Sequence, residues 1–463
     1  MYSIGDWLEM KSGTNSRPLL STRYSSCLKK TPFVFDVSRK NTVLELLFRD
    51  NNHGLETILR IRPNKNNSDN DTPHMTYDSD HEIVIKHPTK STSERYSFDR
   101  VVSPTTSQRE MYRLCGSKLV GSTIGGQNGC LFTYGASGSG KTYTMMGGAS
   151  EEAGLLPRTV ESLFQAVSSH LYDKTDIRPT GSAYISRVGV SEEKVANKLK
   201  RDILSKIRDG ECNSGDWNAN RARKRSSLLC VPPELVNGSA SPAPDCTYIP
   251  EVEDTDYIIF ASFVEIYNEK IYDLLVDTPA ESDVKRTELR IRQDAKGPFV
   301  GGATTVQINT PQEAYKVLDA GRRNLNVAKT QLNEESSRSH CLFTVKVAKR
   351  LSPNRWGVSQ LCFCDLAGSE RSKKIGNEKK RLDESKTINK SLMQLGIVIE
   401  ELRNNQRNPG SVAVSFRNSK LTRLMQSYLT GNSKTIIIVA VSQEQCYKYE
   451  LFEWLNKSFL GRF

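Results

Sequence analysis

Eight consecutive residues, Gly135-Ala136-Ser137-Gly138-Ser139-Gly140-Lys141-Thr142, fit the pattern G-x-x-x-x-G-K-[ST]. That spacing suits phosphate. Glycines let backbone N–H groups converge on phosphate oxygens, and the N-terminus of a following helix adds a favourable dipole. A lysine then reaches the β and γ phosphates, and the threonine hydroxyl ligates Mg²⁺. Tyr143 follows directly and is taken into the same nucleotide-binding set. An apolar strand precedes the motif and a helix start follows it, the context that separates a nucleotide site from a mere Gly-rich turn. With 30 glycines in 463 residues, a chance match has a probability of roughly 0.02. Alone, the motif specifies only a nucleoside triphosphate.

Two further runs narrow it: Asn333-Glu334-Glu335-Ser336-Ser337-Arg338-Ser339-His340 and Asp365-Leu366-Ala367-Gly368-Ser369-Glu370. Read without context, Arg338 and Glu370 are surface charges of small energetic value. Asn333 and His340 fit a packing role as readily as a functional one. Arg60-Ile61-Arg62-Pro63, at the end of an apolar strand, is by itself only a turn. The ten cysteines include no C-x-x-C pair, so zinc and redox work are disfavoured and buried free thiols are expected. Cys362 and Cys364 share one face of a strand and read as core packing.

The P-loop and these two switch-like runs together resemble the kinesin motor domain. The resemblance covers roughly residues 55 to 165 and 255 to 442, and extends through Tyr96-Ser97-Phe98-Asp99, Ser262 to Glu269, Ile388-Asn389-Lys390-Ser391-Leu392 and Ser419-Lys420-Leu421-Thr422-Arg423. It implies ATP and Mg²⁺. It places Arg62 and Pro63 at the adenine, Ser336 and Ser337 over the γ-phosphate, and Thr142 and Ser337 at the metal, which Asp365 would hold through water. Gly368 would offer its backbone N–H to the γ-phosphate. Arg338 and Glu370 would pair to close the two switches, and Glu370 would take a proton from the attacking water through a second water. Such phosphoryl transfer needs positioning and charge neutralisation more than covalent chemistry. An N-terminal extension and a long insertion are similar to the mitotic kinesin-like proteins of the central spindle.

The resemblance also names a partner. Six basic residues among the eleven from 371 to 381, set against one acid, Glu378, occupy the loop that meets the acidic surface of tubulin in kinesins. Lys373, Lys374, Lys379, Lys380 and Arg381 are therefore assigned to microtubules, with Lys390, Arg417, Lys420 and Arg423 in neighbouring contact segments. Nucleic acid is disfavoured because no aromatic stacking platform or base-reading module accompanies these charges. Arg221 to Arg225 reads as a solvated cluster, with a nuclear import signal and a further tubulin contact as its alternatives. The implied location is the cytoplasm, cytoskeleton and spindle microtubules, with the nucleus in interphase. A homodimer would form through regions beyond this chain. A microtubule binder that no longer cycles and a different P-loop enzyme are the competing readings. Intact Lys141, Thr142, Ser337, Arg338 and Glu370 oppose the first, and the lack of an N-K-x-D-like element opposes a GTPase.

Three departures stand out. Ala136 and Ser137 replace the Gln and Thr usual in kinesins, Gly126-Gln127-Asn128 replaces G-Y-N, and Glu450 to Asn456 departs from E-T-x-x-T-L-x-F-A. The last puts docking of a neck linker in doubt.

These residues need elements to hold them. Strands are expected at Leu55–Ile61, Glu82–Lys86, Tyr257–Tyr267, Val300–Thr305, Cys341–Ala348, Gln360–Leu366 and Thr435–Val441. Helices are expected at Thr310–Asn326 and Asp383–Arg403. That interleaving predicts an α/β class, a P-loop NTPase of the kinesin motor fold with a central mixed β-sheet and helices on both faces. Residues 1–50 read as an N-terminal extension, and 51–463 as a motor domain interrupted by an insertion at about 166–250. Within the insertion, Val195, Leu199, Ile203 and Ile207 recur at i+4, with Ser191 as N-cap and Gly210 at C′, so a docked amphipathic helix from Glu192 to Arg208 is expected.

Lys plus Arg number 65 and Asp plus Glu 53, so the net charge of +12 favours an acidic partner without identifying it. The start lacks a signal-peptide pattern, and the longest aliphatic run, Ile436 to Val441, is far below membrane-spanning length, so an intracellular protein with no membrane role is expected.

Overall fold

The computed structural model describes residues 55–63, 75–77, 79–86, 92–136, 138–205, 231–242, 252–277, 286–332, 339–368, 379–408, 410, 412–430 and 433–442; of 326–332, 379–389 and 406–407 it describes the backbone alone. The strands are β1 (Leu55–Arg62), β2 (Met75–Tyr77), β3 (Glu82–Lys86), β4 (Ser93–Ser97), β5 (Arg100–Val102), β6 (Asn128–Tyr134), β7 (Ile177–Pro179) and β8 (Ile185–Arg187). They continue as β9 (Tyr257–Tyr267), β10 (Lys270–Asp273), β11 (Glu288–Asp294), β12 (Gly297–Gly301), β13 (Val306–Ile308), β14 (His340–Ser352), β15 (Arg355–Asp365) and β16 (Ser433–Ser442). The helices are α1 (Gln108–Met111), α2 (Ser117–Ile124), α3 (Lys141–Met145), α4 (Leu155–Val167), α5 (Val190–Ser205), α6 (Pro233–Val236), α7 (Pro311–Leu332), α8 (Lys379–Arg407) and α9 (Lys420–Leu429).

Among the described residues, the central sheet runs β12-β11-β10-β9-β14-β15-β6-β16-β1-β5, with β13 added alongside β9. Strands β15, β6, β16, β1 and β5 pair in parallel, whereas β14, β9, β10, β11 and β12 continue antiparallel. The sequence explains the split. Strand β16, Ser-Lys-Thr-Ile-Ile-Ile-Val-Ala-Val-Ser, is buried at all but one position, as a parallel strand covered on both faces requires. Helices α2, α4 and α7 cover one face through residues such as Leu119, Leu163 and Leu318. Helices α8 and α9 cover the other through Leu392, Leu395, Leu421 and Met425. The mixed sheet with helices on both faces is thus as expected.

Boundaries moved where packing outvotes periodicity. Of the expected strand Val300–Thr305 only Val300 and Gly301 are strand, the end of β12; a turn at Gly302 with φ +80° follows, and β13 begins at Val306. The backbone of α8 is already helical from Lys379, so Lys379, Lys380 and Arg381 lie on a helix and not in a loop. Cys130, Cys362 and Cys364 are buried on the α8–α9 face, Cys115 and Cys341 on the other. Burial holds the Cys130 and Cys364 thiols above their usual pKa, which suits core packing.

Much of the segment from 166 to 250 is fastened to the sheet. Tyr172 N donates to Tyr257 O at 2.8 Å immediately after α4. The turn between β7 and β8 reaches three strands. There Ser182 donates from N and Oγ to Asp294 of β11 at 2.7 and 2.6 Å. The Nζ of Lys346 on β14 donates to Gly181 O at 2.9 Å, and the side-chain amide of Gln360 on β15 donates to Ser182 O. Helix α5 begins at Val190 and not at Glu192, with Glu193 N already bonded to Gly189 O at 3.0 Å, so Ser191 is inside the first turn and is not its cap.

The expected docking face of α5 is also rotated. Ile203 is 1% exposed as expected, but Val195 is 69% and Leu199 36% exposed. The helix is held instead by Glu193 and Asn197, which bond Thr175, and by Lys200, which pairs with Glu313 of α7 at 2.7 Å. Ile207, Gly210 and Arg221–Arg225 lie outside the described residues, as do the N-terminal extension and Glu450–Asn456.

Candidate functional site

The parallel strands β1, β6, β15 and β16 all end at one edge of the sheet, and the chemistry-bearing residues collect there. Strand β6 ends at Tyr134 and leads into the P-loop. Gly135, Gly138 and Gly140 have φ of +152°, +79° and +107°, values that L side chains rarely adopt. At Gly135 a Cβ would lie 2.3 Å from Ala440 O and 2.6 Å from Ser139 Oγ, so only glycine lets the turn lie against β16. Helix α3 is five residues long, so its dipole is small.

Lys141 opens α3 and is only 3% exposed. Its Nζ donates to Gly135 O at 2.8 Å and Ala136 O at 3.0 Å, which folds the ammonium back over the turn. Thr142 is half-buried and Tyr143 exposed, while Ser137 lies outside the described residues. Ser139 Oγ is buried without a hydrogen-bond partner among the described residues.

Asp365 ends β15 beside β6. It is buried, and its Oδ1 accepts from the Thr133 hydroxyl at 3.1 Å. Its carboxylate and the Thr142 hydroxyl supply hard oxygen donors of the kind Mg²⁺ takes together with phosphate and water, so these residues fit that ion.

Strand β1 braces the cradle with two arginines. Arg62, at its end, donates to Gly138 O, and exposed Pro63 follows. Arg60 is buried, and its Nη1 donates to Gln108 Oε1 at 2.8 Å and Thr144 Oγ1 at 3.1 Å. Its guanidinium lies 5.3 Å from the centre of the Tyr143 ring, and Gln108 Nε2 donates to Tyr143 O at 2.6 Å. The sequence singles out Arg62 and Pro63, whereas Arg60 and Gln108 are the residues that lock α3 to β1.

Of the two switch-like runs, Gly368 is buried at the end of the segment leaving β15, and His340 begins β14. Asn333, Ser336, Ser337, Arg338 and Glu370 lie outside the described residues. His340 is buried between segments. Its Nδ1 accepts from Ala367 N–H at 3.0 Å, and its Nε2 is 2.8 Å from Ser391 Oγ of α8. Burial pushes its pKa down to about 4.

Of the basic residues assigned to a partner, Lys390 lies on α8, Arg417 in the turn before α9, and Lys420 and Arg423 on α9. Lys390 and Arg417 are exposed, Lys420 and Arg423 half-buried; Lys373 and Lys374 lie outside the described residues. Helix α9 is fixed at its start by two acceptors. Ser419 Oγ takes Thr422 N–H at 3.0 Å, and Glu269 Oε2 takes Lys420 N–H at 2.7 Å. Glu269 sits in the β9–β10 turn, where Asn268 and Glu269 have φ of +49° and +57°. The sequence carried no signal for this contact, because its partners are 151 residues apart.

Comparison with known proteins places this geometry. A family model described as the kinesin motor domain matches residues 60–455. The chain is 36% identical over 387 residues to the kinesin-like protein KIF20B of Mus musculus, covering 81% of this chain and 21% of that protein. It thus spans about a fifth of that relative's length. A solved structure titled kinesin 6 superposes with a TM-score of 0.66 at 30% identity, covering 87% of this chain and 98% of that one. A KIF14 motor with ADP in complex with a microtubule superposes at 0.60 and 25% identity, covering 88% and 94%.

Proposed function

The chain belongs to the kinesin motor family, and from that premise we propose that it is a microtubule-stimulated ATPase that converts ATP hydrolysis into force or movement along microtubules, in mitosis or cytokinesis. One observation carries the reading. The P-loop with its three left-handed glycines and its buried lysine ends β6, while Asp365 ends the neighbouring strand.

In this reading the turn from Gly135 to Gly140 cradles the phosphates by backbone N–H groups, and Lys141 swings its ammonium from the turn carbonyls to the β and γ phosphates. Thr142, Ser337 and Asp365 would hold Mg²⁺, Asp365 through water. When bound, the ion neutralises phosphate charge. Arg62 and Pro63 line the adenine side. Ser336 and Ser337 close over the γ-phosphate, and Gly368 turns its N–H toward it. Arg338 pairs with Glu370, which takes the proton of the attacking water through a second water.

Lys373, Lys374, Lys379, Lys380, Arg381, Lys390, Arg417, Lys420 and Arg423 face the acidic surface of tubulin, as the microtubule complex of the KIF14 motor supports by analogy. The working place is the cytoskeleton and spindle microtubules, with a nuclear pool in interphase. Homodimerisation would use regions beyond this chain. Among the described residues no helix is long and apolar enough to cross a membrane.

Co-sedimentation with polymerised tubulin tests this. Retention with a non-hydrolysable ATP analogue and release with ADP support a cycling motor. Binding that ignores the nucleotide would contradict it.

A further inference from the structure

His340 touches two segments besides its own strand, the chain leaving β15 and helix α8. It is the last residue of the first switch-like run and the first of β14; its Nδ1 accepts from Ala367 N–H at 3.0 Å; its Nε2 lies 2.8 Å from Ser391 Oγ. An amide N–H can only donate, so Nδ1 must carry the lone pair. The neutral ring then has its proton on Nε2 and donates to Ser391 Oγ. Burial, which pushes the pKa down to about 4, keeps the ring neutral at pH 7, and the Ala367 bond selects the tautomer. Ala367 and Ser391 are themselves buried, so neither group can exchange its partner for bulk water. A packing residue would fill this volume without both bonds, whereas here each ring nitrogen serves a different segment.

We propose that His340 is a positioning residue that ties the Ala367–Gly368 backbone to the Ser391 turn of α8, so that movement of the loop facing the γ-phosphate is carried into the helix that faces tubulin. The proposal rests on the roles given above to Gly368 and α8. It adds a specific link between them, two hydrogen bonds through one imidazole. Such a link couples two sites when the bonds hold both segments in either arrangement together.

The side chains offer a clean dissection. In His340→Asn the amide oxygen can take the place of Nδ1 and keep the Ala367 bond, but the side chain is too short for Ser391. Ser391→Ala removes the same helix bond while leaving His340 intact. Hydrogen exchange of amides in residues 391–405 is measured on the full chain, with and without a non-hydrolysable ATP analogue. The wild type is expected to change its exchange when the analogue binds. Both variants are expected to lose most of that change, and the double variant to lose no more than either single one. In the same preparations Ser391→Ala is expected to keep basal ATP turnover within about twofold while microtubule stimulation falls about fivefold or more.

The link is overturned if the analogue-dependent change survives in both single variants, or if the losses add in the double variant. It is overturned equally if α8 of the wild type never responds to the analogue. Should α8 respond and the variants silence it while microtubules leave wild-type turnover unchanged, the link stands and the motor reading falls.

Discussion

The P-loop cradle and the segment between α4 and β9 lie on the same sheet but hold their places by different means. The cradle is built from residue types with no substitute: glycines at positive φ, one lysine, one threonine and a carboxylate at a strand end. The α4–β9 segment uses ordinary groups, placed well. Val231, Leu235, Val236 and Ile203 enter the core beneath α4 and α7, and Ile177 packs with Ile258 and Phe260. A phosphate site is constrained by chemistry and so is written in types and spacing. A docked insertion is constrained by complementarity, which only the folded chain displays.

The largest effect should come from the cradle and its switches. Lys141→Ala and Glu370→Ala are each expected to lower ATP turnover about a thousandfold. Only Lys141→Ala should also weaken a fluorescent ATP analogue, since Glu370 acts on the attacking water. Steady-state turnover and analogue titration check both, and Glu370→Ala with near wild-type turnover would remove its role.

Replacing residues 170–248 by a Gly/Ser linker draws the contrast from the other side. Loop-closure entropy alone makes such a change cheap, about 0.6 kcal/mol per doubling of length. The structure predicts otherwise, because the replacement strips apolar side chains from the core and removes the partners of Asp294 and Lys346. Soluble yield and the melting temperature should fall sharply. The milder Leu235→Ala should cost about 2 to 4 kcal/mol in denaturant melts while leaving the KM for ATP unchanged. A linker variant as stable as the wild type would show the segment to be a passive tether.

These differences mark what could be read from sequence. The P-loop, the order of the main strands and the position of α7 followed from residue types and periodicity. Helix α5 was found with the right period and the wrong face, because Glu193, Asn197 and Lys200 dock it by polar bonds that an apolar pattern cannot reveal. The burial of Arg60 and the Glu269 cap on α9 rest on partners distant in sequence. The role of His340 was open for the same reason, as its two partners lie 27 and 51 residues away.

Smaller effects sharpen the contrast. Replacing Lys373, Lys374, Lys379 and Lys380 by Ala should raise the tubulin concentration for half stimulation about tenfold and flatten its salt dependence, since exposed charges across an interface are screened. An unchanged salt profile would place the contact elsewhere.

Lys346 gives the smallest signal. Burial pushes its pKa from 10.5 down to about 8, with Asp294 opposing. The unfolded chain therefore binds the proton more tightly between those values, and stability attributable to this residue rises as pH climbs through that window. The melting temperature of the wild type should gain on that of Lys346→Met between pH 7.5 and 9.5. A constant gap would mean the ammonium is not held in a desolvated place.

Steady-state turnover of ATP and GTP, with and without polymerised tubulin, tests the central claim most directly. Hydrolysis of ATP and not GTP, accelerated about tenfold or more by microtubules, is the predicted result. Microtubule binding with no acceleration of ATP turnover would contradict it.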